Sequence, residues 1–151
     1  MALKVVQFIA IVLIALALVP VGAHLFALPN KIGLIQEQYF VVQSIYRGWA
    51  LFGAILIPAV LANLLLAVML RGRSAQFTLA LFAALCMGAT LVAFFIWTYP
   101  ANVATNNWTT VPENWEQLRR QWEYSHAVNA LITFFAFCSV TLSVLIQPPA
   151  N

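Results

Sequence analysis

The sequence predicts an all-α fold: a transmembrane four-helix bundle, one integral membrane domain over residues 1–151, with helices 2 and 4 extended into a cap on the non-cytoplasmic side. Three observations lead there. The chain is 64% hydrophobic and only 7% charged, whereas a soluble domain carries roughly 25% charged residues. Four apolar runs reach the ~20 residues that a membrane-crossing helix needs. The two long connections between runs keep a helical spacing of apolar and aromatic residues.

The first span covers residues 5–26, "VVQFIAIVLIALALVPVGAHLF". Lys4, the apolar run and Val21-Gly22-Ala23 imitate a signal peptide, but the run is long for such a peptide, which favours a retained helix. The second span covers 49–70 and the third 77–97. The fourth covers 127–146. All must be helical, because lipid offers backbone groups no hydrogen-bond partner. Pro20 and Pro58 are expected to kink their helices.

Between spans two and three lies only "RGRSAQ". Two arginines in so short a loop place it in the cytoplasm. The N-terminus and the C-terminal "QPPAN" then share that side, and the chain is expected in a cell inner membrane. Residues 27–48 and 98–126 lie on the other side. Thr110-Val-Pro-Glu113 reads as a capping box that starts the fourth helix early. Ile35, Tyr39, Val42, Tyr46, Trp49 and Gly53 alternate four- and three-residue steps, so the second helix is also expected to begin outside the lipid.

Few functions of the soluble kind survive this composition. The net charge of +3 comes from few groups, and no basic run or phosphate loop indicates nucleic acid. Cys86 and Cys138 lie apart in apolar runs and read as packing residues rather than a redox pair.

The one dense polar stretch is residues 115–130, "WEQLRRQWEYSHAVNA". At 100° per residue Trp115, Arg119, Trp122, His126, Asn129 and Thr133 share an arc of roughly 80°. Glu116 and Arg120 take another face, in the favourable order for an ion pair. The seam descends into the lipid zone, where a His or Asn is costly unless it points into the bundle. Companions across the bundle are His24, Asn30, Arg47, Asn102, Asn106 and Asn107. Three readings of the seam stay open: interfacial anchoring, a pocket for a lipophilic small molecule, and a metal or haem site. Glu123-x-x-His126 is only half of a di-iron motif. His24 and His126 are the two histidines available as axial ligands of a b-type haem.

Residues 22–34 and 39–53, with 106–137, resemble a bacterial four-span membrane family of unknown function grouped with the fungal anthrone oxygenases. The resemblance rests on the four spans, the polar third connection and the run Trp115-x6-Trp122-x3-His126. Typical members often carry Arg where this chain has Asn129. The resemblance implies oxidation of a polycyclic aromatic carbon acid by dioxygen without metal or flavin. It implies His126 as the base, Arg119 as the oxyanion partner, and Trp115 and Trp122 as stacking walls.

The sequence reading is thus a pocket for an aromatic or quinone-like lipophile, with no cofactor. His126 and Arg119 would be catalytic, and Trp115, Trp122, Asn129, His24, Arg47 and Trp49 would surround the ligand. The alternative is an accessory or scaffold subunit that serves a membrane-protein partner. A pocket requires the seam to face a cavity; a scaffold requires Tyr39, Tyr46 and Trp49 to close it by packing.

Overall fold

A computed structural model describes residues 1–146; the "QPPAN" segment, and with it the expected side of the C-terminus, lies outside the described residues. Five helices appear: α1 (Ala2–Lys31), α2 (Gln36–Gln43), α3 (Trp49–Leu70), α4 (Ser74–Ala104) and α5 (Trp115–Leu145). All but α2 are long and apolar enough to cross a membrane. The chain is a multi-pass membrane protein. In the bundle α1 packs on α3 and α5, and α4 packs on the same two helices, which closes a ring of four.

At the end distal to the cap the ring is tight. Ala10, Ile14, Ala17, Ala59, Leu66, Ala67, Ala80, Ala83, Met87, Ala136 and Val140 form its core. Lipid tails are as apolar as these side chains, so helix association there depends on close contact, which small residues permit. Large apolar side chains such as Phe8, Leu51, Phe82 and Phe135 face outward.

The cap differs from the sequence expectation in three ways. The second helix is not one continuous extension. The chain forms α2, then a 3-10 turn over Ser44–Tyr46, and breaks at Gly48, whose φ is +87°. Glycine takes that left-handed backbone without the Cβ penalty other residues meet. The third span runs beyond residue 97 to Ala104 through a π turn at Phe94–Thr98. Pro100 lacks the N–H that would bond Ile96, and a wider turn accommodates that loss. Finally, Thr110–Glu113 does not cap α5, which begins at Trp115 after Asn114 with no side-chain cap. At 31 residues α5 is still about 46 Å long, well beyond a ~30 Å hydrocarbon core.

A second cluster, Tyr39, Ala101, Trp108, Leu118 and Trp122, knits the cap together. Beneath it the four helices diverge and enclose the site.

Candidate functional site in the mouth of the bundle

Three contacts anchor the α5 seam. Trp122 Nε1 donates to Asn102 Oδ1 of α4 at 2.8 Å. Ser125 and Thr98, the last residue of the π turn, share a buried hydroxyl bond of 2.7 Å. Gln121 Nε2 donates to the Trp97 carbonyl at 2.8 Å. That carbonyl lies in the π turn. These bonds fix which face of α5 looks into the bundle.

That face borders a cavity of about 660 Å³, within the ~300–1,000 Å³ range of small-molecule sites. Its walls are largely apolar and aromatic: Pro20 and Val21 of α1, Tyr46, Trp49, Phe52 and Leu56 around α3, Phe94 of α4, and Trp122 of α5. His24, Gln43, Arg47, Asn102, Trp108, His126, Asn129 and Thr133 supply the polar lining.

His24 and His126 stack face to face with centroids 4.1 Å apart and planes 30° apart. Tyr46, Trp49 and Trp122 surround His24 at 4.3, 5.6 and 4.8 Å. The polar atoms here are short of partners. His24 Nδ1, Gln43 Oε1, Trp108 Nε1, His126 Nδ1 and Asn129 Oδ1 are buried with no hydrogen bond, and all five belong to lining residues. An unpaired buried polar group costs about 1–3 kcal/mol. All five belong to residues that come together around this one cavity, where the bundle is most polar.

Behind the Trp122 wall lies a polar core. Lys31, at the end of α1, pairs with Glu123 at 2.9 Å, and both side chains are almost fully buried, at 4% and 0% exposure. Tyr39 donates to Glu123 Oε1 at 3.0 Å, and Gln43 Nε2 donates to the Tyr39 hydroxyl at 2.6 Å. Lys31 Nζ also sits 4.6 Å from the Tyr46 ring and 5.2 Å from that of Trp122. Burial first, then the charge of Glu123 and the hydrogen bond to it, push the Tyr39 phenol well above its ordinary range. A deprotonated Tyr39 would place a second anion against that carboxylate.

Six of the eight residues expected at the site line the cavity: His24, Arg47, Trp49, Trp122, His126 and Asn129. Trp115 and Arg119 do not. Arg119 Nη1 donates to the Leu34 carbonyl at 2.6 Å, and its guanidinium lies 4.6 Å from Trp115 and 5.4 Å from Tyr39. Arg119 fastens the chain after α1 to the cap, two helical turns above His126. Asn30 is exposed, and Glu116 and Arg120 do not come within ion-pair distance. Sequence reasoning missed Lys31. The signal was present, since Lys31 follows His24 by seven residues and so shares its helix face.

The stacked imidazoles also bear on haem. A porphyrin held between them needs the two rings edge-on to it from opposite sides. At 4.1 Å face to face they do not offer that geometry. Among the described residues no three His, Cys, Asp or Glu side chains converge on a metal-sized site.

No protein-family profile, curated protein or solved structure matches this chain.

Proposed function

We propose that this protein binds one lipophilic, ring-bearing small molecule in the cavity between the cap and the bundle. We further propose that it sits in a cell inner membrane with both termini and the Arg71–Arg73 loop in the cytoplasm, as the short basic loop favours. The observation that carries the binding reading is the cavity itself, about 660 Å³, whose largely apolar wall holds Tyr46, Trp49, Phe52, Phe94 and Trp122 together with a few polar side chains. Aromatic walls supply contact area, and a few placed polar groups fix orientation.

Native mass spectrometry of the gently solubilised protein tests this reading. The expected result is a bound species of small-molecule mass that is reduced in Asn129→Leu. Finding no such species, together with no saturable uptake of hydrophobic ring compounds, would refute it.

One observation favours chemistry as well as binding. His126 lines the cavity and is one of only two histidines in the chain, and an imidazole at the cavity wall is the group a base for a carbon acid calls for. In this second reading the site oxidises an aromatic substrate with dioxygen, as the family resemblance implies. Arg119 has no part in it, and Trp108 and Asn129, which line the cavity, would supply the donors for a developing oxyanion. Substrate-dependent dioxygen uptake that is lost in His126→Gln is the expected signature. The scaffold reading is favoured where the seam is closed by packing, Tyr39 against Trp115 at 6.1 Å and Tyr46 against Trp122 at 6.0 Å.

A further inference from the structure

The cavity is polarised. Arg47 is the one ionised side chain among its lining residues, and no aspartate or glutamate lines it. The nearby Lys31 is matched by Glu123. Arg47 is exposed and has no carboxylate within 4 Å among the described residues.

The backbone adds to the same sign. The break at Gly48 starts α3 directly at the rim, so that Gly48, Trp49, Ala50 and Gly53 all border the cavity. No side chain caps that helix start. The positive end of the helix dipole therefore lies at the rim, beside Arg47. Three side chains lining the same cavity, His24, Gln43 and Asn129, are 4–5% exposed and keep an unpartnered polar atom. With these side chains in its lining, the cavity can take a polar substituent of the same ligand as well as its rings.

We infer that the ligand is an anionic amphiphile: a lipophilic ring system whose acidic group sits at the rim against Arg47 and the uncapped start of α3. This rests on the binding reading above and adds the charge and orientation of the ligand. A membrane-anchored anion and a free one share this chemistry. The bilayer itself is the competing source, because an interfacial arginine also serves phospholipid headgroups.

Equilibrium dialysis of the full chain in zwitterionic-lipid nanodiscs, with empty nanodiscs subtracted, tests the inference. The probes are 2-naphthoate, 2-naphthalenemethanol and 2-naphthalenemethylamine, which share a ring system and differ in charge. The carboxylate is expected to bind about tenfold or more tightly than the alcohol, as a charge-assisted contact predicts, with the amine weakest. Arg47→Gln should bring the carboxylate to within about twofold of the alcohol, and Arg47→Lys should retain part of the preference.

Equal binding of carboxylate and alcohol by the native chain would overturn the assigned charge and leave the pocket standing. A preference that survives Arg47→Gln would overturn the role of Arg47. A preference abolished by replacing part of the lipid with phosphatidylglycerol would show that headgroups own this arginine, and would also overturn the inference. Failure of all three probes to bind above empty nanodiscs would remove the pocket reading together with it.

Discussion

Glu123→Gln is the substitution with the largest expected effect on stability. The change keeps the side-chain shape and leaves an amide oxygen to accept from Tyr39, now 3.0 Å from the carboxylate. What it removes is the charge facing Lys31 Nζ at 2.9 Å. Lys31 would remain as a buried cation at 3% exposure. Breaking one side of a buried pair costs about 3–5 kcal/mol, because the other charge is left uncompensated. Two features place the expectation in the lower part of that range. The Tyr46 and Trp122 rings stay within 4.6 and 5.2 Å of the ammonium, and each such contact is worth about 0.5–2 kcal/mol.

The assay is reversible unfolding of the purified protein in mild detergent on titration with dodecyl sulfate, followed by circular dichroism. Glu123→Gln should lose about 3 kcal/mol. The double variant Lys31→Met, Glu123→Gln removes both charges and should recover more than half of that loss. A single variant within about 1 kcal/mol of the native protein would mean that Lys31 reaches water or headgroups when unpaired. A double variant no better than the single would mean that the loss came from packing. Either result refutes the reasoning.

Three further outcomes follow from the same geometry. Gly48→Ala should destabilise by about 1–2 kcal/mol in the same titration, because a Cβ there meets nothing within 4 Å and the cost is that of the φ of +87° alone. In a double-mutant cycle, Thr98→Val and Ser125→Ala should show a coupling of about 0.6 kcal/mol and no more than about 1.7, the range for hydroxyl bonds between membrane helices. Stability should also fall as pH rises above about 10, the ordinary phenol value. Burial and the Glu123 carboxylate keep the proton on Tyr39 in the folded state while the unfolded chain releases it, so stability is lost with rising pH. Tyr39→Phe should flatten that limb of a stability–pH profile.

The bundle was legible because lipid simplifies the code: twenty apolar residues admit few conformations other than a helix. The cap was less legible for a physical reason. From Ile35 to Gly53 the aromatic and apolar residues keep a helical period, and nothing in that period reveals the break at Gly48. Only the glycine marks it, and five other glycines take no positive φ. The capping-box pattern at Thr110–Glu113 failed for a related reason. Asn106, Asn107 and Trp108 adopt positive φ just before it, and the chain is still turning there when the pattern would start a helix. A tryptophan in that conformation is held by its surroundings: its backbone N–H donates to Thr105 Oγ1 and its ring packs on Tyr39, Phe40 and Trp122.

The wheel that grouped Trp115, Arg119, Trp122, His126 and Asn129 identified one inward face and treated it as one site. That face has two halves, and what stands opposite each half decides its use. Above Trp122, α2 lies against α5, so Arg119 is occupied by the Leu34 carbonyl and Trp115 by Tyr39 and Phe40. Below Trp122 no α2 side chain takes up the face: His126 stacks on His24 of α1, and His126 and Asn129 both line the cavity. The boundary is the layer of Lys31, Glu123 and Tyr39, which no single helix contains. A periodicity argument on α5 alone could not have located it, because the divide depends on where α1 ends and α2 begins. Lys31 ends α1 with its charge buried. The nearest carboxylate that can neutralise it is Glu123, one turn above His126, and meeting that requirement fixes the height at which the cap closes over the cavity.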